Sequence, residues 1–216
     1  MPNHITNTVT FSGTENDLNA IRAMMDRSKN TDGTDSEDGR AFDFNAILPM
    51  PKSLEISKGT ETDVGLWLIG AGPNVYGHAM KHASRFAGVP EGQHTREELC
   101  AILREKGHDC IRFAEAHVEN IKLYGYADWY DWACDKWGTK WNSYRGVWYA
   151  DHLVRFETAW TSPRPVFAAL SKLFPNVTID VLWTDEGEED DKAHRYVFHD
   201  AQYLADAEYD EEAEPT

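Results

Sequence analysis

Three aspartates, Asp128, Asp131 and Asp135, recur at three- and four-residue intervals in a stretch that also holds Trp129, Trp132 and Trp137. If residues 117–137 are helical, a turn of about 100° per residue gathers the carboxylates on one face and puts the indoles, with Ala133, on the adjoining one. Such a face could offer oxygens to a hard divalent cation or an acid–base pair to a substrate, whereas a solvated acidic flank needs no ligand. No EF-hand loop or further ligand accompanies it. No metal, cofactor or catalytic residue is therefore assigned, and an enzyme using the Asp128, Asp131 and Asp135 face stands as the alternative reading.

The other reactive side chains form weaker patterns. His78 and His82 have the i, i+4 spacing of two zinc ligands on one helix, but no Glu follows His78 and no third ligand is evident. "LIGAGPNVYG" has Val75 where a dinucleotide-binding loop needs its third glycine, and Pro73 intrudes. The chain contains no phosphate-binding loop and no G-x-S-x-G. Cys100, Cys110 and Cys134 are odd in number and lack C-x-x-C spacing, so they read as free thiols in a reducing compartment.

Five of the chain's eight tryptophans lie in residues 129–149, "WYDWACDKWGTKWNSYRGVWY". One reading seals a core with indole; the other presents a surface for a partner, because Trp, Tyr and Arg concentrate interface energy. Beyond Gly138 the chain reads as a loop between glycines, and Lys140, Trp141, Asn142, Tyr144, Arg145 and Trp148, with Tyr149, form the candidate partner-binding set.

Charge is as uneven as the indoles. Most of the formal net charge of −16 lies beyond residue 179, where fourteen Asp and Glu face only Lys192 and Arg195. Asp128, Asp131, Asp135, Glu208, Asp210, Glu211 and Glu212 are the candidate acidic surface. An acidic strip with tyrosines, "DAQYLADAEYDEEAE", reads either as a solubilising tail or as an imitation of a phosphate backbone that occupies a DNA-binding protein. Nucleic acid is not the expected partner, since "HLVRFETAW" also lacks the aromatic spelling of RNA-binding sheets. A nucleic-acid-binding sheet is the second alternative.

These residues need elements to hold them. "HITNTVTFSG" alternates as a strand, and Thr14 opens a helix with Leu18, Ile21, Met24 and Met25 at helical spacing. Residues 28–40 read as a polar loop, and "AFDFNAILPMP" as a second strand stopped by prolines. A helical block over about 60–137 includes a capping box at Thr95 and Glu98 and a helix interrupted near Gly125. "HLVRFETAW" is a strand, "TSPRPVFAALSKLFPN" a helix, "VTIDVLWTDEG" a strand, and "HRYVFHD" its hairpin partner. Two strand-helix-strand units predict an α+β, ferredoxin-like antiparallel sheet with helices on one face and a helical insertion. The expected organisation is one domain over 1–200 and an acidic tail over 201–216. No run of eighteen apolar residues and no signal peptide is present, so no membrane is expected.

"MPNHITNTVTFSG", "FDFNAILPMP", "WYDWACDKWGTKWN", "FETAWTSPRPVFAALSKLFP" and "WTDEG", in this order, resemble the YubB-type ferredoxin-like domain family of bacteriophages and conjugative plasmids. The name describes topology, since no cysteine run for an iron–sulfur cluster is present. The departures are the proline motif at 161–165 and the acidic tail. The resemblance implies a mobile genetic element and a bacterial cytoplasm, and it carries no catalytic residue. The expected function is a non-catalytic accessory protein that binds a bacterial or mobile-element protein, in its most concrete form an anti-defence inhibitor of a host nuclease or complex.

Overall fold

A computed structural model describes residues 3–29, 35–72, 76–188 and 192–208. The chain runs β1 (His4–Ser12), α1 (Glu15–Met25), β2 (Arg27–Lys29), β3 (Asp35–Arg40), α2 (Thr60–Leu68), α3 (Tyr76–Ala87), α4 (Arg96–Glu105), α5 (Asp109–Tyr124) and α6 (Trp129–Lys136). It continues with β4 (Tyr144–Ala150), β5 (Leu153–Ala159), α7 (Arg164–Leu173), β6 (Thr178–Asp185), β7 (Ala193–His199) and β8 (Gln202–Glu208). Two compact units result, one from residues 1–49 and 133–216, the other from residues 50–132.

In the first unit six strands form one sheet in the order β4-β5-β1-β6-β7-β8, with every neighbouring pair antiparallel. Four adjacent strands, β4-β5-β1-β6, and two helices follow the chain order β1-α1-β4-β5-α7-β6, the split strand-helix-strand order of a ferredoxin-like fold. Along β1 the side chains alternate as the sequence predicts: Ile5, Asn7, Val9 and Phe11 are buried while Thr6, Thr8 and Thr10 lie on the other face. Phe156 of β5 and Tyr196 of β7 meet Phe167 of α7, with ring centroids 6.3 and 6.0 Å apart. The aromatic face of the sheet is therefore the helix-covered one. Arg155, Leu182 and Arg195 lie on the opposite face with the threonines.

Several local expectations change. Residues 28–40 are not simply a loop, since β2 and β3 pair at Arg27 with Arg40 and at Lys29 with Asp35; residues 30–34 lie outside the described residues. Backbone pairing of this kind leaves no apolar signature for a sequence to show. "AFDFNAIL" is not a strand: Phe44–Ala46 is a single 3-10 turn, and Asp43 accepts from the Asn45 amide at 3.0 Å. Its alternation did mark burial, because Phe42 and Phe44 are both fully enclosed. The stretch after Gly138 is not all loop, since Tyr144–Ala150 is the edge strand β4, with register shifts that blur its period. Past Asp200, where a tail was expected, β8 pairs with β7 as far as Glu208.

The second unit packs α2, α3, α4 and α5 around Val64, Trp67, Leu68, Ala83, Leu99 and Leu103. The Thr95 and Glu98 capping box forms as predicted. α5 stops at Gly125, whose φ of 80° is the left-handed conformation that ends helices, so residues 117–137 are two helices. Cys110 is buried, which pushes its thiol up to about 11. The α2–α5 crossing is tight enough that a Cβ on Gly65 would overlap the carbonyl oxygen of Cys110.

Gly65→Ala should destabilise the second unit by about 1–3 kcal/mol, the cost of overpacking outweighing the helix-propensity gain of about 1 kcal/mol; denaturant unfolding checks this. His117 of α5 gives a pH dependence. Its Nδ1 is buried with no partner, and burial first, then Lys58, hold the imidazole below its ordinary value, while Asp128 and Asp63 oppose. Below about pH 6.5 the unfolded chain binds the proton that the folded one resists, so stability falls as pH drops through that range. Denaturant midpoints at pH 7.5 and 5.5 should differ less in His117→Asn than in the parent.

Candidate functional site

The tryptophan-rich stretch divides into two populations. Trp132 and Trp137 are buried, and the Trp137 Nε1–H donates to the Leu48 carbonyl at 2.9 Å. Trp148, expected at the surface, is half-buried: its indole stacks on Phe11 with centroids 6.0 Å apart and donates to the Ala41 carbonyl at 2.6 Å. Asn142, 9% exposed, is likewise a clamp. Its Oδ1 accepts from the amides of Phe44 and Ser143 at 3.0 and 2.8 Å, and its Nδ2 donates to Asp43 at 2.6 Å. These groups satisfy backbone atoms of an irregular buried segment, so Asn142 belongs to the core and the indole of Trp148 packs on its edge.

The remainder is a surface. Trp141 is 38% exposed, and Trp160, which sequence reasoning did not single out as a site residue, is 41% exposed. Lys140 places its ammonium 4.7 Å from the Trp141 ring centroid and 4.9 Å from that of Trp160, within cation–π range of both. The buried Thr139 hydroxyl anchors this loop by donating to the Ala159 carbonyl at 2.6 Å, and the Thr161 hydroxyl donates to the Gly138 carbonyl.

Tyr144, half-buried beside Trp141 with ring centroids 6.3 Å apart, extends the patch. Its hydroxyl donates to the Thr158 carbonyl at 3.0 Å, so the 2.7 Å contact with His4 needs the hydrogen on His4 Nδ1. Burial, then the Glu157 carboxylate, raises the Tyr144 phenol above its ordinary value, with Arg145 opposing. Arg145 is exposed and pairs with Glu157 at 2.9 Å. Tyr149 and Val147 on the same edge strand are exposed as well.

Two residues of this patch carry unusual backbones. Arg145 has φ 50° and Trp160 has φ 75°, the left-handed region that non-glycine residues seldom occupy. Such conformations cost about 1–3 kcal/mol and persist where surrounding structure enforces them, often at functional sites. No sequence signal marks Trp160, because its exposure follows from the turn after β5 and from its amide donating to the Asn3 carbonyl at 3.0 Å.

The aspartate triplet is dispersed. Asp128 is 7% exposed, not a surface residue, and its carboxylate caps α6 by accepting from the Tyr130 amide at 3.0 Å. Asp131 and Asp135 are exposed, the latter 3.0 Å from the Lys136 ammonium. The premise of one helical face fails because the helix breaks before Asp128. Among the described residues no group of three His, Cys, Asp or Glu could hold a metal ion. Glu208 ends β8, and Asp210, Glu211 and Glu212 lie outside the described residues.

Topology and site together define a ferredoxin-like α+β protein with an extra edge hairpin and an aromatic surface patch. Residues 136–214, which hold five of the sheet's six strands, match the family described as the ferredoxin-like domain in Api92-like proteins. The crystal structure of protein api92 from Yersinia pseudotuberculosis is similar over 100% of both chains, at 11% sequence identity and a TM-score of 0.47. No curated protein matches the chain. No helix among the described residues is long and apolar enough to cross a membrane.

Trp148→Ala should cost about 3 kcal/mol or more through lost packing and an unsatisfied carbonyl, whereas Trp141→Ala should change stability by less than about 1 kcal/mol. Denaturant unfolding of the two variants checks the division.

Proposed function

We propose that this chain is a non-catalytic binding protein of a bacteriophage or conjugative plasmid, acting in the bacterial cytoplasm on a host protein through the Lys140, Trp141 and Trp160 patch. The observation that carries the reading is the pair of solvent-facing indoles around one ammonium, with Trp160 held in a left-handed backbone. Rigid aromatic anchors beside a cation are the composition of interface hot spots. Arg145, Tyr144 and Tyr149 along β4 enlarge the surface.

A protein suits this surface better than a nucleic acid. The sheet's aromatic rings turn toward α7, leaving threonines and paired arginines on the other face, where Arg195 bridges both carboxylate oxygens of Asp180 at 2.9 and 2.6 Å. Stacking platforms for bases need the opposite arrangement. The excess of carboxylates after residue 179 favours a basic partner, and a DNA-binding subunit of a host defence complex or nuclease, engaged by DNA mimicry, is the concrete form of the proposal.

The test compares proteins retained from bacterial lysate by the tagged parent and by a Trp141→Ala, Trp160→Ala double variant, at low and high salt. The expected outcome is a specific partner held by the parent alone, more weakly as salt rises, with both proteins unfolding at similar denaturant concentrations. Identical retained sets would refute the proposal.

A further inference from the structure

The helical unit of residues 50–132 contains a cleft of about 500 Å³. That volume lies within the range of small-molecule sites. Val64, Leu66, Trp67 and Ala79 give it an apolar wall, and the polar lining is dominated by donors. The Lys58 ammonium has no ion-pair partner among the described residues. Thr60 begins α2, and its N-cap, Gly59, provides no side chain to the first-turn amides. Those amides carry the positive end of the helix dipole.

Two imidazoles line the same space. His78 and His82, one turn apart on α3, line the cleft, the first exposed and the second half-buried against Phe86. Trp67 is only 2% exposed, and its Nε1–H, itself shielded from solvent, has no acceptor among the described residues. Against these donors stands one carboxylate, Asp63. The imidazoles and Asp63 do not converge as a metal site.

We infer that this cleft binds a small organic monoanion, a carboxylate whose apolar body lies against Val64, Leu66 and Trp67 and whose charged end meets Lys58, Thr60 and the start of α2. The apolar wall excludes a bare inorganic ion as the best fit. Asp63 disfavours a polyanion such as a nucleotide phosphate, because like charge at close range raises the cost of each added negative charge. The lining residues are none of those of the aromatic patch, and the inference does not rest on the proposed partner.

The experiment titrates the full chain with acetate, butyrate, octanoate and 3-phenylpropionate, with inorganic phosphate and the neutral 3-phenylpropanol beside them. Calorimetry gives affinity, and indole N–H resonances report the site, that of Trp67 being identified by its loss in Trp67→Phe. The expected result is saturable binding that strengthens from acetate to the larger carboxylates and moves the Trp67 resonance, with phosphate and the alcohol far weaker. Lys58→Gln should weaken binding about tenfold without moving the unfolding midpoint. Absence of saturable binding by every carboxylate, equal binding of the alcohol, or an unchanged affinity in Lys58→Gln would overturn the inference, and calorimetry decides these even if Trp67→Phe does not fold.

Discussion

The ring of Phe42 stacks on Phe156 at 4.8 Å between centroids, and Phe11, Phe44, Trp148 and Phe167 surround it within 6.4 Å. Phe42 belongs to no helix or strand. Its position at the centre of the sheet's core therefore forces an irregular backbone into the interior, and every amide and carbonyl there needs a partner that no sheet ladder supplies. The tryptophan-rich stretch provides them: Trp148 to Ala41, the Ser143 hydroxyl to Phe42, Asn142 to Phe44, and Trp137 to Leu48. An indole suits this task because it adds a large apolar area and one donor at its edge. Much of the local tryptophan enrichment answers this constraint.

What the core consumes determines what remains for binding. With Trp132, Trp137 and Trp148 wholly or partly enclosed, Trp141 is the member of the loop that faces solvent, and Trp160 joins it from the far end of β5. The two left-handed residues of the patch lie near the start of β4, at Arg145, and just past the end of β5, at Trp160. A buried polar cluster holds the turn after β5: the Ser162 hydroxyl meets Asn7 at 2.5 Å and also Tyr196, while Thr158 donates to the Thr161 carbonyl at 2.8 Å. Hydrogen bonds shielded from water make that turn costly to rearrange, so the Trp160 backbone is held by contacts beneath it.

The helical unit has its own logic. α2 buries Thr62, Val64, Gly65, Leu66, Trp67 and Leu68, nearly its whole circumference, which only a helix surrounded by others can do. Gly65 permits the close approach of α5 that makes such enclosure feasible. The core and the cleft of this unit are lined by residues drawn from 50–132.

Alternation along β1, most of β5 and the first half of β6, and the capped helices α1 and α4, were legible in the sequence because each is a local consequence of side-chain spacing. The sequence by itself determined the ferredoxin-like order, the helical insertion and the concentration of charge at the C-terminal end. It also marked Phe42 and Phe44 as interior, although it assigned them to a strand. Only the tertiary structure decided which tryptophans are spent on backbone carbonyls and which reach solvent, because that depends on partners about a hundred residues away, as between Trp148 and Ala41. It alone separated Asp128 from Asp131 and Asp135, and it alone brought Trp160 to Lys140, since a left-handed turn and a cation between two rings leave no period in the chain.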